Sequence, residues 1–314
     1  MKPRCLYHTG GTDANKENPS PQAASPYQGI SARASFLYHH AMSAEGFLKN
    51  DGQISLEHTK ACMDILEAHP YLTKDHRLSM AKMIANGFYS AYRIHAYDQA
   101  EELLVKLKVM YREEHEAPNA IDYLALYLQS KLFYENHLHS YHDSEHLIDL
   151  EKKYLESCSG LNVMVKAGID YGYALLYHGR GERGKALKCV NRVLNGSDIS
   201  RNDEVYSRSL VFSNVLYIEQ DDREWLVHSA RGLKRYLHSR GRLGAVESAL
   251  LRYIADIRRS RTLEGERNAL EKYIMTLRSV RKDASERIAF EYFDFLRWAE
   301  ERLDSGRRGF PMVA

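Results

Sequence analysis

The string His142-Asp143-Ser144-Glu145-His146 is where this sequence comes nearest to reaction chemistry. On a helix, His142 and His146 would lie one turn apart on one face, the geometry by which two imidazoles grip one Zn²⁺. Glu145 between them would serve as a base, in the order H-x-x-E-H that some metal hydrolases carry. His137 and His139 lie just upstream. A hydrolase also needs a third protein ligand and a closed cleft, and nothing in the chain points to either. Two histidines in the first turn of a solvated helix account for the string without metal. The expectation is no cofactor and no catalytic residue, with His142 and His146 as weak metal candidates only.

A second chemistry is the recognition of acids. Nine arginines and one lysine fall between Arg223 and Arg261, opposed by Glu224, Glu247 and Asp256 alone. The planar guanidinium fork suits carboxylates and phosphates. Arg252, Arg258 and Arg259 are the candidates for holding an acidic peptide. The same run would suit RNA, but the aromatic residues that stack bases are not concentrated there, so nucleic acid is disfavoured. The bland alternative is a solvated face paired with carboxylates of neighbouring helices.

Third is the tyrosine load, 22 residues in all. A tyrosine ring is a rigid apolar anchor with a polar tip, useful at interfaces. Tyr92, Tyr134, Tyr173, Tyr177 and Tyr217 fall in alternate helices and are the candidate groove anchors; packing in the seams between helices is their competing role. There is no phosphate loop, no dinucleotide fingerprint and no nucleophile elbow. Formal net charge is only +2, so no global field draws the chain to nucleic acid or a membrane surface. The four cysteines are widely spaced and form no C-x-x-C pair, which suits a reducing compartment. With no apolar run of membrane-spanning length and no secretion-signal pattern at the start, the expected location is cytoplasmic.

The elements that must position these residues are helices. Five of the seven prolines lie near the ends of the chain, and the long middle shows apolar residues at spacings of three and four. The stretch 162–196 is the clearest unit. Val165, Ile169, Tyr173 and Leu176 stripe one helix, Ala186, Leu187, Val190, Val193 and Leu194 stripe the next, and Gly179 and Gly181 release the chain between them. Similar hairpins run from residue 31 to 280, with turns near Asp51, Ala96, Ser140, Gly181, Asp221 and Thr262. That is a period of roughly 40–45 residues, the mark of a helical solenoid. No hairpin alone could hide its apolar faces; stacked ones can. Asp98, Asp221 and Asp283, each with a glutamate three residues on, read as helix caps. A last helix over 285–303, rich in Phe290, Tyr292, Phe293, Phe295, Leu296 and Trp298, has no partner hairpin. It is expected to be covered by the preceding pair or to form a homodimer seam. Residues 1–30 read as a disordered tail and 304–314 as a frayed end.

With Gly87 and Ala100, Gly172 and Ala186 as small residues placed to let two helices meet, and Pro70 and Pro118 closing second helices, the chain resembles tetratricopeptide-type repeats. The spacing is longer than theirs, and the small pairs fade after Asp203; a HEAT-type solenoid shares the period. The resemblance implies an all-α, right-handed superhelix of about six antiparallel helix pairs over residues 31–303, with a concave groove lined by first helices. It implies in turn a non-catalytic scaffold that binds a peptide or helix of another protein. A peptide-sensing regulator is the alternative; a zinc hydrolase at the histidine string and an RNA-binding repeat stand behind both.

Overall fold

The computed structural model describes residues 31–49, 51–139, 141, 144–196, 204–221, 223–283 and 286–307. Residues 1–30 and 308–314, which hold the expected N-terminal tail and most of the expected C-terminal one, lie outside the described residues, as do His142 and Asp143. The described residues form helices and turns, with no strand among them.

They fall into two compact units, one of residues 31–135 and 144–165, the other of 136–141 and 166–307. The N-terminal unit is built from α1 (Ala32–Leu48), α2 (Gly52–Ala68), α3 (Tyr71–Arg93), α4 (Tyr97–Glu113), most of α5 (Ala120–Leu138) and α6 (Glu145–Ser157). The C-terminal unit holds α7 (Val163–Gly179) from residue 166, α8 (Arg183–Leu194), α9 (Glu204–Glu219), α10 (Arg223–Ser239), α11 (Ala245–Arg259), α12 (Leu263–Val280), α13 (Arg287–Tyr292) and α14 (Phe295–Arg307). Packing follows the chain: α1 on α2, α2 on α3 and α3 on α4 in the first unit, and α8 through α12 each on the next in the second. This is consecutive helix-on-helix packing of the kind the repeat pattern requires.

The period is written into the backbone. His95, His139, Gly181 and Asp221 all have positive φ, at 62°, 54°, 75° and 52°, and sit 40 to 44 residues apart. Each ends the first helix of a hairpin. At two of them the next amide reaches back five residues, Ala96 N to Ala91 O at 2.9 Å and Glu182 N to Tyr177 O at 2.8 Å, which satisfies carbonyls the helix end would orphan. A non-glycine residue accepts this left-handed geometry only with local support. Two turns share that support: His95 Nδ1 meets the Tyr97 hydroxyl at 2.8 Å, and His139 Nδ1 meets that of Tyr141 at 3.0 Å.

Of the expected caps, Asp98 lies inside the first turn of α4, which Tyr97 opens, and Asp221 takes left-handed backbone just before α10. Side chains of Ser31, Asp51 and Thr262 cap α1, α2 and α12. Asp283 does not cap α13, whose cap position is Glu286.

Small residues mark close approach, and one of them, Gly87, meets a different helix than the repeat scheme implies. The nearest side chain to Gly87 is Thr59 of α2, not Ala100 of α4. Ser43 and Thr59 hydroxyls meet at 2.8 Å, and Ser90 donates to Ser55 at 2.9 Å, so a hydroxyl seam runs through α1, α2 and α3. In the same seam, a Cβ on Gly46 would lie 2.7 Å from the Ser55 amide nitrogen. Backbone cannot step aside cheaply. Gly46→Ala is expected to cost about 1–3 kcal/mol in chemical denaturation, the range of an overpacked core.

Cys62 and Cys189 are buried in α2 and α8, and burial pushes the Cys62 thiol up to about 12. Cys158 lies in a short 3-10 turn after α6 rather than in a helix, and Cys5 lies outside the described residues.

Candidate binding site

The expected His142–His146 pair lies partly outside the described residues. Helix α6 begins at Glu145, with Ser144 before it, and His142 lies outside the described residues. Among the described residues no group of three or more His, Cys, Asp or Glu side chains could hold a metal ion. Among the same residues no helix is long and apolar enough to cross a membrane.

The tyrosine candidates part ways. Tyr173 and Tyr177 stack on each other inside the C-terminal unit, and Tyr173 has no solvent exposure, so neither is available to a guest. Tyr92 and Tyr134 are half-buried in an aromatic cluster of the N-terminal unit. Tyr92 packs edge-on to Phe133 at 5.0 Å, and Tyr134 to Phe88 at 6.3 Å. Their rings are packing residues of the α3–α5 seam. Tyr217, half-buried like Tyr92 and Tyr134, stacks on Trp225, which is 61% exposed.

The arginines divide as well. All three candidates are exposed, yet Arg252 bonds the Ser248 carbonyl of its own helix and Arg259 lies 3.6 Å from Asp256, also on its own helix. Arg258 lines a cleft of about 550 Å³ in the C-terminal unit, where Arg267 and Arg302 join it. Asp221, Glu264 and Glu266 are in the same wall, and Leu226, Leu263 and Leu303 supply apolar surface. Leu263 is 74% exposed. The cleft therefore sets an exposed leucine beside three guanidinium groups and three carboxylates.

The strongest electrostatic feature lies at another point of this unit and was not anticipated. Glu219, the last residue of α9, has a side chain only 10% exposed. Its Oε1 accepts from His178 Nε2 of α7 at 3.0 Å and from Trp298 Nε1 of α14 at 2.7 Å; its Oε2 accepts from Arg183 Nε of α8 at 2.9 Å. Burial by itself would raise the carboxyl. The His178 and Trp298 hydrogen bonds and the Arg183 charge outweigh it and pull Glu219 down to about 2. His178 and Glu219 are one repeat apart, in successive first helices. That register was the available signal, since nothing in the residue types alone separates Glu219 from a surface acid.

Around this node the chain brings its own C-terminal segment. Instead of one helix over 285–303, Phe293 adopts extended backbone (φ −157°, ψ 128°) and divides the stretch into α13 and α14. Asp294 Oδ1 accepts from Arg297 N at 3.0 Å and so caps α14. The helix then continues through Arg307, so residues 304–307 are not frayed. The Phe293 ring lies 5.0 Å from Phe212 and 5.5 Å from His178. The Tyr171 hydroxyl donates to the Tyr292 carbonyl at 3.3 Å, and the Arg208 guanidinium lies against the Tyr292 ring. Trp298 sets its edge against Tyr253 and Tyr273, 6.4 Å from each. Glu286 accepts from the Ala245 amide at 2.9 Å, at the start of α11. Of the residues offered by the sequence for a homodimer seam, Phe295, Leu296 and Trp298 are buried within the chain, while Phe290, Tyr292 and Phe293 are half-buried.

No family model, no curated protein and no solved structure matches this chain.

Proposed function

We propose that this chain is a non-catalytic, tetratricopeptide-like helical-repeat protein that binds a peptide segment of another protein across the alternate helices of successive hairpins. One observation carries the reading. Side chains from α7 (Tyr171, His178), α9 (Phe212, Glu219) and α11 (Tyr253) all touch one short segment, residues 292–298. First helices of consecutive hairpins therefore all contact one segment, extended at Phe293 and helical from Phe295, where α14 also packs on α12. This is what the stacked superhelix with a lined groove requires, and a cytoplasmic scaffold is the role that fits it.

The guest meets the cleft at Arg258, Arg267 and Arg302, where it places an apolar side chain on Leu263 and a carboxylate on the arginines. Selection of a displayed random-peptide library on the whole chain tests this. Peptides with an apolar residue beside Asp or Glu should be enriched, and the double variant R258E/R267E should lose them. An equal enrichment on both proteins, or none on either, overturns the cleft as the guest site.

A further inference from the structure

The face on α7, α9 and α11 is already filled, and what fills it describes the guest. Residue 293 is held in extended backbone between two helices, and the flanking Tyr292 carbonyl takes a side-chain hydrogen bond from the receptor face. The Phe293 ring lies against both His178 and Phe212. Five residues on, an indole N–H reaches a carboxylate that three donors share. Here the contacts include a backbone carbonyl and one directional N–H, which are the means by which a groove reads an incoming peptide.

We infer that residues 292–298 occupy this face as an intramolecular guest, and that the face takes, in competition with them, a partner peptide of the same chemistry. That peptide carries an aromatic residue followed by aspartate and a second aromatic, with a tryptophan four residues after the aspartate. The aspartate starts a helical turn, as Asp294 does for α14. The tryptophan delivers its N–H to Glu219 and its ring to Tyr253 and Tyr273. Glu219 selects for tryptophan over phenylalanine, because a guest without the N–H leaves one bond of a buried carboxylate unmade. The inference rests on the groove reading proposed above and adds to it the identity of the side chains that the groove accepts.

The test uses the full chain and a fluorescein-labelled peptide of residues 289–303, followed by fluorescence anisotropy. The double variant F293A/W298A, checked for wild-type helix content by circular dichroism, frees the face. It should bind the peptide at least tenfold more tightly than the wild-type chain does. A peptide with alanine at the two positions equivalent to Phe293 and Trp298 should bind neither protein. A folded variant that ignores the peptide overturns the inference, as does a light-scattering mass of two chains, which would give the face to a second copy. If the variant fails to fold, hydrogen exchange of the wild type decides. Amides of α14 should exchange at least tenfold faster than those of α11 and α12; equal protection makes the segment a fixed part of the stack and overturns the inference. Failure here with successful library selection on the arginine cleft leaves the groove reading intact and removes only the intramolecular guest.

Discussion

Replacing Glu219 by alanine should lower the melting temperature by about 6–12 °C at neutral pH. The carboxylate is the shared acceptor for His178, Arg183 and the Trp298 indole. Removing it strands these donors around a cavity, and removing one partner of a buried ion pair costs about 3–5 kcal/mol. Arg183 is half exposed and can turn to water, so the low end, about 3 kcal/mol, applies. For a compact unit of roughly 150 residues each kcal/mol moves the midpoint by about 2–4 °C. The pH dependence is a second reading of the same interaction. The folded carboxyl lies at about 2 and the ordinary value is 4.5, so the folded state holds fewer protons in between. The stabilisation is complete above pH 4.5 and is lost as pH falls through that window toward 2, about 3 kcal/mol in all. Glu219→Gln should flatten the acid limb of the stability profile. An unchanged limb in that variant would show that other carboxylates govern acid unfolding.

Phe88→Ala should be the most damaging single change in the N-terminal unit. The ring is fully buried and sits edge-on to Tyr89, Phe133 and Tyr134 at 5.1–6.3 Å. Truncating a buried phenylalanine costs about 3–5 kcal/mol in transfer and cavity terms. That is a fall of about 6–20 °C in melting temperature. Met275→Ala, on the exposed face of α12, should stay within about 0.5 kcal/mol. If the two variants melt together, the aromatic seam between α3 and α5 does not hold this unit together.

The two predictions bear on opposite halves of what could be read in advance. Helix boundaries were legible because their signals are local. Apolar stripes fix which residues can be helical, and Asp, Gly and Pro mark many of the turns; with a turn expected near Thr262 and the hairpins expected to end at 280, α12 is found at Leu263–Val280. The repeat was legible for the same reason, since a turn every 40-odd residues leaves its mark in residue type. One further mark was open to reading: His95-Ala96-Tyr97 and His139-Ser140-Tyr141 are the same turn device, one repeat apart. The binding candidates were less legible. Residue type says that Tyr173 and Tyr217 are both amphipathic, but not that one is sealed in a stack and the other lies beside an exposed tryptophan.

By itself the sequence determined an all-helical chain of repeated hairpins, because periodicity and turn chemistry act over a few residues. Only the tertiary structure decided that the last helix breaks at Phe293 and that Glu219 becomes the hub of three donors. Glu291-Tyr292-Phe293 contains neither proline nor glycine, and Phe293 gives up helical backbone to reach His178 and Phe212, more than eighty residues away. A carboxylate is stabilised or stranded by what surrounds it, and those surroundings come from four helices that meet only when the chain is folded.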